Sequence, residues 1–371
     1  MRWLSRLGAV AAPAWLALVG CESIAGIEDR RFEAPDSGGS QASPLCVEYC
    51  AEVLESCTGA LAVYTTEQTC LATCALLDPG DPLEPAGNTV ACRLKSAKDA
   101  RAFEPELNCP RAGPGGAGFC GDDCASYCSL LESACPEEAA RYQDCPTKCA
   151  AGLRDTGRFD VVLDHDGDSL QCRLVHVSSA AVAPDVHCEH ARLTATAPCT
   201  DPQGTVPDCE EYCALVNAAC AGALGVYESQ AQCVAACAAI PAGTVDDRME
   251  NTVGCRKYHA HAALGDPGTH CPHASPLGDG HCGHDATPTE TGNCESYCLL
   301  LEAACPAEAA TLGGPAACRA ACAGVPGAAA DSHYAVAAAT GDTLACRALH
   351  VTRAFADSSA CAAAVGGAPC Q

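Results

Sequence analysis

Aromatic residues are scarce in this chain of 371 residues, at 4%, and its apolar content is largely alanine. Short units of such a composition bury too little area to be stable on a hydrophobic core alone. Positive charge is thin as well, with 21 Lys and Arg against 46 Asp and Glu. A formal charge of −25 repels phosphate backbones and anionic headgroups, which argues against nucleic acid as a partner. No apolar run suits a stable membrane span: Leu7 to Val19 is short and interrupted by Pro13. Catalytic signatures are missing too. There is no C-x-x-C-H for covalent haem, no H-E-x-x-H, no G-x-S-x-G and no phosphate-binding loop. The expectation is that the chain is not an enzyme.

What the chain has is cysteine, 33 in all. Thirty-two fall into four sets of eight, beginning at Cys46, Cys124, Cys209 and Cys294. Each set runs C-x3-C-x6-C-x(9–12)-C-x3-C-x(17–23)-C-x(14–16)-C-x(8–10)-C. Cys21 is left over. Eight cysteines make four disulfides per set, at about 2–4 kcal/mol each, which supplies what the small cores lack. Oxidation of this kind is expected outside the cytoplasm. The sets define repeats over 46–120, 124–199, 209–282 and 294–370, joined by short segments bearing Gly, Pro or Asp.

The repeats alternate in kind. The first and third share Cys-x-Gly-Ala-x-x-Val-Tyr from Cys57 and Cys220, and Asn-Thr-Val before the sixth cysteine. The second and fourth share Ser-Tyr-Cys-x-Leu-Leu-Glu, Cys-Pro, and Gly-Asp-(Ser/Thr)-Leu before the sixth cysteine. The order is A-B-A-B, as duplication of a two-unit ancestor gives. Tyr49, Tyr127, Tyr212 and Tyr297 precede each second cysteine, and Arg93, Arg173, Arg256 and Arg347 follow each sixth.

Within a repeat the spacings are helical. Cysteines at i, i+4 and i+11 lie within about 40° of one another around a helix, forming one stripe. A first helix is expected over about Leu45 to Cys57 and its equivalents, stopped by Gly59 or Gly222, or by Pro136 or Pro306. A second helix carries the fourth and fifth cysteines, with capping boxes at Thr65…Gln68 and Ser229…Gln232. A third carries the sixth, with Asp168 or Asp342 as N-cap. The Gly- and Pro-rich tails are expected to be irregular. The fold class is therefore all-α: four tandem, disulfide-stapled three-helix mini-domains.

Two bridges across an antiparallel helix pair need equal axial spacing on both helices. The first two cysteines and the fourth and fifth are each four apart, which favours first-to-fifth and second-to-fourth pairing. That gives Cys46–Cys74 and Cys50–Cys70, Cys124–Cys149 and Cys128–Cys145, Cys209–Cys237 and Cys213–Cys233, Cys294–Cys322 and Cys298–Cys318. Over about thirty residues per repeat this pattern resembles the twin CX3C helical hairpin of small mitochondrial intermembrane-space chaperones, as local geometry only. Third-to-sixth and seventh-to-eighth bridges complete the set: Cys57–Cys92 and Cys109–Cys120, Cys135–Cys172 and Cys188–Cys199, Cys220–Cys255 and Cys271–Cys282, Cys305–Cys346 and Cys361–Cys370.

The N-terminus reads as an export signal over residues 1–20, with Arg2 and Arg6 before the apolar run. It ends Leu18-Val19-Gly20-Cys21, which resembles the lipobox of bacterial lipoproteins. That resemblance implies diacylglyceryl attachment at the Cys21 sulfur, acylation of the freed amine, and a membrane partner through the lipid. Loss of the two arginines takes the charge from −25 to −27. Glu22, in place of the Asp that favours inner-membrane retention, leans towards the outer membrane or cell surface. Residues 21–45 read as a lipidated flexible tether. Cys21-Glu-Ser-Ile-Ala-Gly-Ile-Glu-Asp-Arg30 followed by Cys-x3-Cys-x6-Cys units resembles cysteine-rich repeat lipoproteins common in myxobacterial proteomes, a group with no established activity to carry over.

Histidine is the other lead. His176, His259 and His350 each lie four residues after a sixth cysteine; His187 and His190, and His270 and His273, bracket seventh cysteines; His281 and His284 bracket an eighth. Such groups suit Zn²⁺, Cu²⁺ or Ni²⁺. The third repeat is the best candidate, with His259, His270, His273, His281 and His284; the first has Ser96, Asn108 and Arg111 instead. Two further motifs are set aside. Gly167-Asp168-Ser169-Leu170 matches the opening motif of GDSL hydrolases, but Gly341-Asp342-Thr343-Leu344 stands at the same place in the fourth repeat, as a helix cap needs and a nucleophile does not. Asp164-His165-Asp166-Gly167-Asp168 resembles half of a calcium loop, with Val175 where the bidentate glutamate belongs. The chain is expected to be a non-catalytic envelope scaffold that binds another envelope or extracellular protein through its variable loops. The alternative is a metal-sequestering envelope protein using Zn or Cu.

Overall fold

The computed structural model describes residues 42–83, 85–283, 292–329 and 333–371. The leader, Cys21 and most of the tether lie outside them, as does His284. All regular elements among the described residues are helices, with no strands beyond two isolated bridges, and no helix there is long and apolar enough to cross a membrane. The all-α class holds.

Each repeat opens with an amphipathic helix: Pro44–Ser56, Asp123–Ala134, Cys209–Ala219 and Gly292–Ala304. The first begins at Ser43, whose hydroxyl accepts from the Cys46 amide, so the tether reading overran by two residues. The second helices are Glu67–Cys74, Cys145–Gly152, Gln230–Cys237 and Pro315–Cys322. Ser229 caps its helix as expected, whereas in the first repeat the cap is Thr66 and not Thr65. The third helices are Val90–Ala102, Leu170–Ala180, Val253–Ala263 and Leu344–Ala354. Their caps are Thr89, Ser169, Thr252 and Thr343, each accepting from the sixth-cysteine amide. Asp168 and Asp342 are therefore not caps.

The tails depart from expectation. Leaving aside a short helix that follows the first in the B repeats, Pro136–Ala139 and Pro306–Thr311, each folds a fourth helix that carries or leads into the seventh cysteine: Pro105–Ala112, Pro184–His187, Pro267–Ala274 and Cys361–Ala364. Proline at the first position of three of these fourth helices starts them, since its missing N–H has no partner to lose there. In the A repeats the chain then turns at Gly116 and Gly278, where a side chain would meet the Cys120 or Cys282 backbone at 2.2 Å.

All thirty-two cysteines of the four sets are bridged. The hairpin bridges run first-to-fifth and second-to-fourth in every repeat. The other two correct the sequence reading. Third pairs with seventh, as Cys57–Cys109, Cys135–Cys188, Cys220–Cys271 and Cys305–Cys361. Sixth pairs with eighth, as Cys92–Cys120, Cys172–Cys199, Cys255–Cys282 and Cys346–Cys370. None of the expected Cys57–Cys92, Cys109–Cys120, Cys135–Cys172, Cys188–Cys199, Cys220–Cys255, Cys271–Cys282, Cys305–Cys346 or Cys361–Cys370 bridges forms. The reason is helix direction. Lys98 meets Glu48 and Arg101 meets Glu55, so the first and third helices run the same way. Cys57 ends one helix and Cys92 begins the other, about 15 Å apart along the axis. The fourth helix, doubling back, brings Cys109 to Cys57 instead.

Two polar devices recur. The buried tyrosine hydroxyls of Tyr49, Tyr127, Tyr212 and Tyr297 donate to the carbonyls of Ala112, Ala191, Ala274 and Ala364, at 2.5–2.7 Å, tying the first helix to the end of the repeat. The arginine after each sixth cysteine donates to the residue five before it: Asn88, Asp168, Asn251 or Asp342. That assigns both halves of the alternating motif, with Asn or Asp receiving the guanidinium and Thr or Ser capping the helix.

A and B repeats dock in matching fashion. Val161 donates to the Ala62 carbonyl at 3.0 Å, and Val336 to that of Gly225 at 2.8 Å. Arg93 and Arg256 reach Ser126 and Ser296 of the following repeat. The two pairs meet through Lys148, bonded to the Leu264 carbonyl, and where His261 Nε2 lies 2.8 Å from Asp168 Oδ2. One continuous core runs through all four repeats, so they form a single body and not separate beads.

Candidate metal centres

The third helix of the second repeat places His176 one turn after Cys172, facing the short fourth helix. His187 ends that helix and His190 follows in the next turn. Their ligand nitrogens all lie within 4.8 Å of one another. His176 Nε2 lies 3.1 Å from the His165 carbonyl, and His176 Nδ1 lies 3.0 Å from His187 Nδ1. A carbonyl only accepts, so His176 carries its proton on Nε2 and presents a bare Nδ1 to the group. His190 Nδ1 is buried without a hydrogen-bond partner. An orphaned buried nitrogen costs about 1–3 kcal/mol, which a fold does not keep without return.

The third repeat builds the same arrangement from an A-type unit. His259 Nδ1 faces His270 Nδ1 at 3.1 Å, and His259 Nε2 lies 3.4 Å from the Arg248 carbonyl. His165 and Arg248 both stand seven residues before their sixth cysteine, so the orienting carbonyl is the same structural position. His273 joins, with ligand nitrogens again within 4.8 Å. His281 stacks on His273 with ring centroids 3.8 Å apart, and its Nδ1 is also buried without a partner.

Burial, reinforced in the third repeat by the neighbouring imidazoles, holds His259 down to about 3. In the second repeat burial brings His176 down to about 4, with the other rings as smaller contributors. Burial lowers His187 and His270 as well. His176, His187, His259 and His270 therefore meet neutral solvent as lone-pair donors. The nearby cysteines are all in disulfides and offer no thiolate.

The sequence pointed to the third repeat, and His259, His270, His273 and His281 do come together there. It undervalued the second, where the recurrence of His176, His187 and His190 at matching positions was the available signal. His350 stands apart, with Arg353 Nη1 3.5 Å from its Nε2. His261 was passed over. It pairs with Asp168, which burial would raise, but which the charges of His261 and Arg173 hold well below the usual carboxylate range. An adjoining cleft of about 400 Å³ between the second and third repeats is lined by Asp168, Asp201, Arg248, Lys257 and His261. Lys257 is bonded there to Asp201 and Glu211, so its charge is already answered. Ser169, the would-be hydrolase nucleophile, is occupied as a helix cap.

No curated protein and no solved structure matches the chain. The model of the BfoA family C-terminal domain matches three times in tandem, over residues 37–123, 124–202 and 208–285. Those spans take up well over half of the sequence, and the chain belongs to the BfoA C-terminal domain family.

Proposed function

We propose that the chain is a non-catalytic binding and structural scaffold, displayed outside the cytoplasm on a lipid attached at Cys21. The observation that carries this reading is the pairing of every cysteine from Cys46 to Cys370 within its own repeat. It supports oxidation outside the cytoplasm and leaves Cys21 as the one cysteine without a place in the pattern. A free thiol there would be a liability, whereas acylation gives it a use. The partner is another envelope or extracellular protein, contacted by the loops between the third and fourth cysteines of the B repeats and between the fifth and sixth of the A repeats, since the equivalent loops of the other kind meet one another where A docks on B.

Growth of the native host with a clickable fatty acid tests the anchor. The full-length chain takes up label and sediments with membranes, and Cys21→Ser abolishes both. Label persisting in that variant, or none in the wild type, overturns the anchored reading. Cross-linking on intact cells then identifies what the loops touch.

A further inference from the structure

We propose that the second and third repeats each bind one divalent first-row transition ion, Zn²⁺ or Cu²⁺, through imidazole nitrogens. The ligands are His176, His187 and His190 in one centre, and His259, His270 and His273 in the other, where His281 stacks on His273 beside them. This goes beyond the scaffold reading and stands or falls separately from it.

Four observations converge. The first is proximity. Imidazole nitrogens on a tetrahedral ion with bonds of about 2.0–2.1 Å stand roughly 3.3 Å apart. The paired Nδ1 atoms lie at 3.0 and 3.1 Å, and the ligand nitrogens of each set of three histidines within 4.8 Å. Ring rotations that move each nitrogen by about 1 Å close both sites. The second is orientation: His176 and His259 each turn Nε2 to a backbone carbonyl and Nδ1 into the group. Metal-bound histidines are held by such outer hydrogen bonds, which fix the tautomer and the ring.

The third is the pair of buried Nδ1 atoms, on His190 and His281, that have no partner in the protein. The fourth is that the same arrangement appears on two kinds of repeat. The first repeat has Ser96, Asn108 and Arg111 at these positions, and the fourth keeps His350 but has Ala360 and Ala363. The four bridges are kept in every repeat, whereas the three imidazoles are kept together in only one copy of each kind. Sulfur is excluded because Cys172, Cys199, Cys255 and Cys282 are bridged.

The centres are unequal. His281 precedes the eighth cysteine of the third repeat, and Pro198 stands at that place in the second. In both centres three imidazoles leave a position for water or an outside ligand, and only the third repeat has a further ring, His281, beside the group. For identical donors Cu²⁺ binds more tightly than Zn²⁺.

The test uses the oxidised full-length chain, stripped with a chelator and titrated in separate arms with Zn²⁺ and with Cu²⁺. The expected result is two equivalents bound with Kd below about 1 μM. His176→Ala and His259→Ala each leave one, the double variant leaves none, and His350→Ala still binds two. Cu²⁺ electron paramagnetic resonance shows nitrogen hyperfine structure that the double variant loses. The half-buried His187→Ala and His270→Ala serve as second variants should either of the first fail to fold. Wild type binding less than one equivalent of both ions overturns the proposal. So does a double variant that still binds two, which would mean adventitious surface sites. Preference for one ion assigns the metal.

Discussion

The second and fourth repeats are built on the same plan, and only one of them gathers histidines. Both bury a tyrosine that donates to the end of the repeat, at 2.5 and 2.7 Å. Both set an arginine on an aspartate, Arg173 on Asp168 and Arg347 on Asp342. Both cap the third helix with a hydroxyl and close the same four bridges. Around the seventh cysteine, however, His187 and His190 give way to Ala360 and Ala363. The fold is complete without them. What holds the repeat together and what the repeat offers are separate sets of residues, and this separation gives the histidine groups their weight.

The largest effect that can test this separation falls on the arginines. Arg173 is fully buried and bonded to Arg192, Ser169, Asp168 and Leu193, whereas Arg347 is partly exposed against a mostly solvated Asp342. Arg173→Met strands buried acceptors, including a carboxylate, and should cost about 3–5 kcal/mol. Arg347→Met should cost about 1 kcal/mol, in the range of a surface ion pair. Guanidinium unfolding of the two variants measures both, and equal losses would break the distinction between the two frames.

Next in size is a charge that one repeat has and the other lacks. Asp123 and Asn293 each precede the first cysteine of their set. Burial pushes Asp123 up from 3.8 to about 6, against a hydrogen bond from the Ala117 amide. A carboxyl raised in the folded state favours folding when protonated. Its contribution is fully present below about pH 4 and is lost as pH rises through about 6. Asp123→Asn should therefore flatten the stability profile between these values and gain about 2 kcal/mol above pH 6, allowing for partial solvent screening. A profile that keeps the wild-type slope would assign it elsewhere. Smaller again are the helix caps. Ser169→Ala and Thr343→Ala should each cost about 1 kcal/mol, and alike, because each hydroxyl serves one amide of the same helix.

Spacing carried the first helix and the hairpin, because cysteines four apart on two helices define an axial ladder by themselves. It did not carry the direction of the third helix, which decides whether Cys57 can meet Cys92. That direction is written in the Lys98–Glu48 and Arg101–Glu55 contacts, between residues with no sequence pattern of their own. The fourth helix was hidden by its prolines, which break a helix in its middle and start one at its first turn. Asp168 and Ser169 are adjacent polar residues at a helix start, and either is a plausible cap until the buried arginine is placed. The recurrence of Asn or Asp five residues before every such arginine was the readable clue. For the histidines, sequence gave positions around two cysteines. The pairing of Cys135 with Cys188 and of Cys172 with Cys199 is what folds those positions onto one another.

The smallest effect on the fold is the most telling for function. His187→Ala with His190→Ala converts the second repeat to the alanines of the fourth. If the imidazoles were core packing, their loss would cost several kcal/mol, as large-to-small changes in a core do. The structure argues otherwise. His187 and His190 are both half-buried, and His190 Nδ1 is buried without a partner, so its removal relieves a desolvation cost as it removes some contact. The two contributions oppose each other, and the metal-free variant should unfold within about 1 kcal/mol of wild type. Added Zn²⁺ or Cu²⁺ should then stabilise the wild type more than the variant, because an ion that binds only the folded state shifts unfolding by mass action. A variant several kcal/mol weaker without metal would return these histidines to the scaffold.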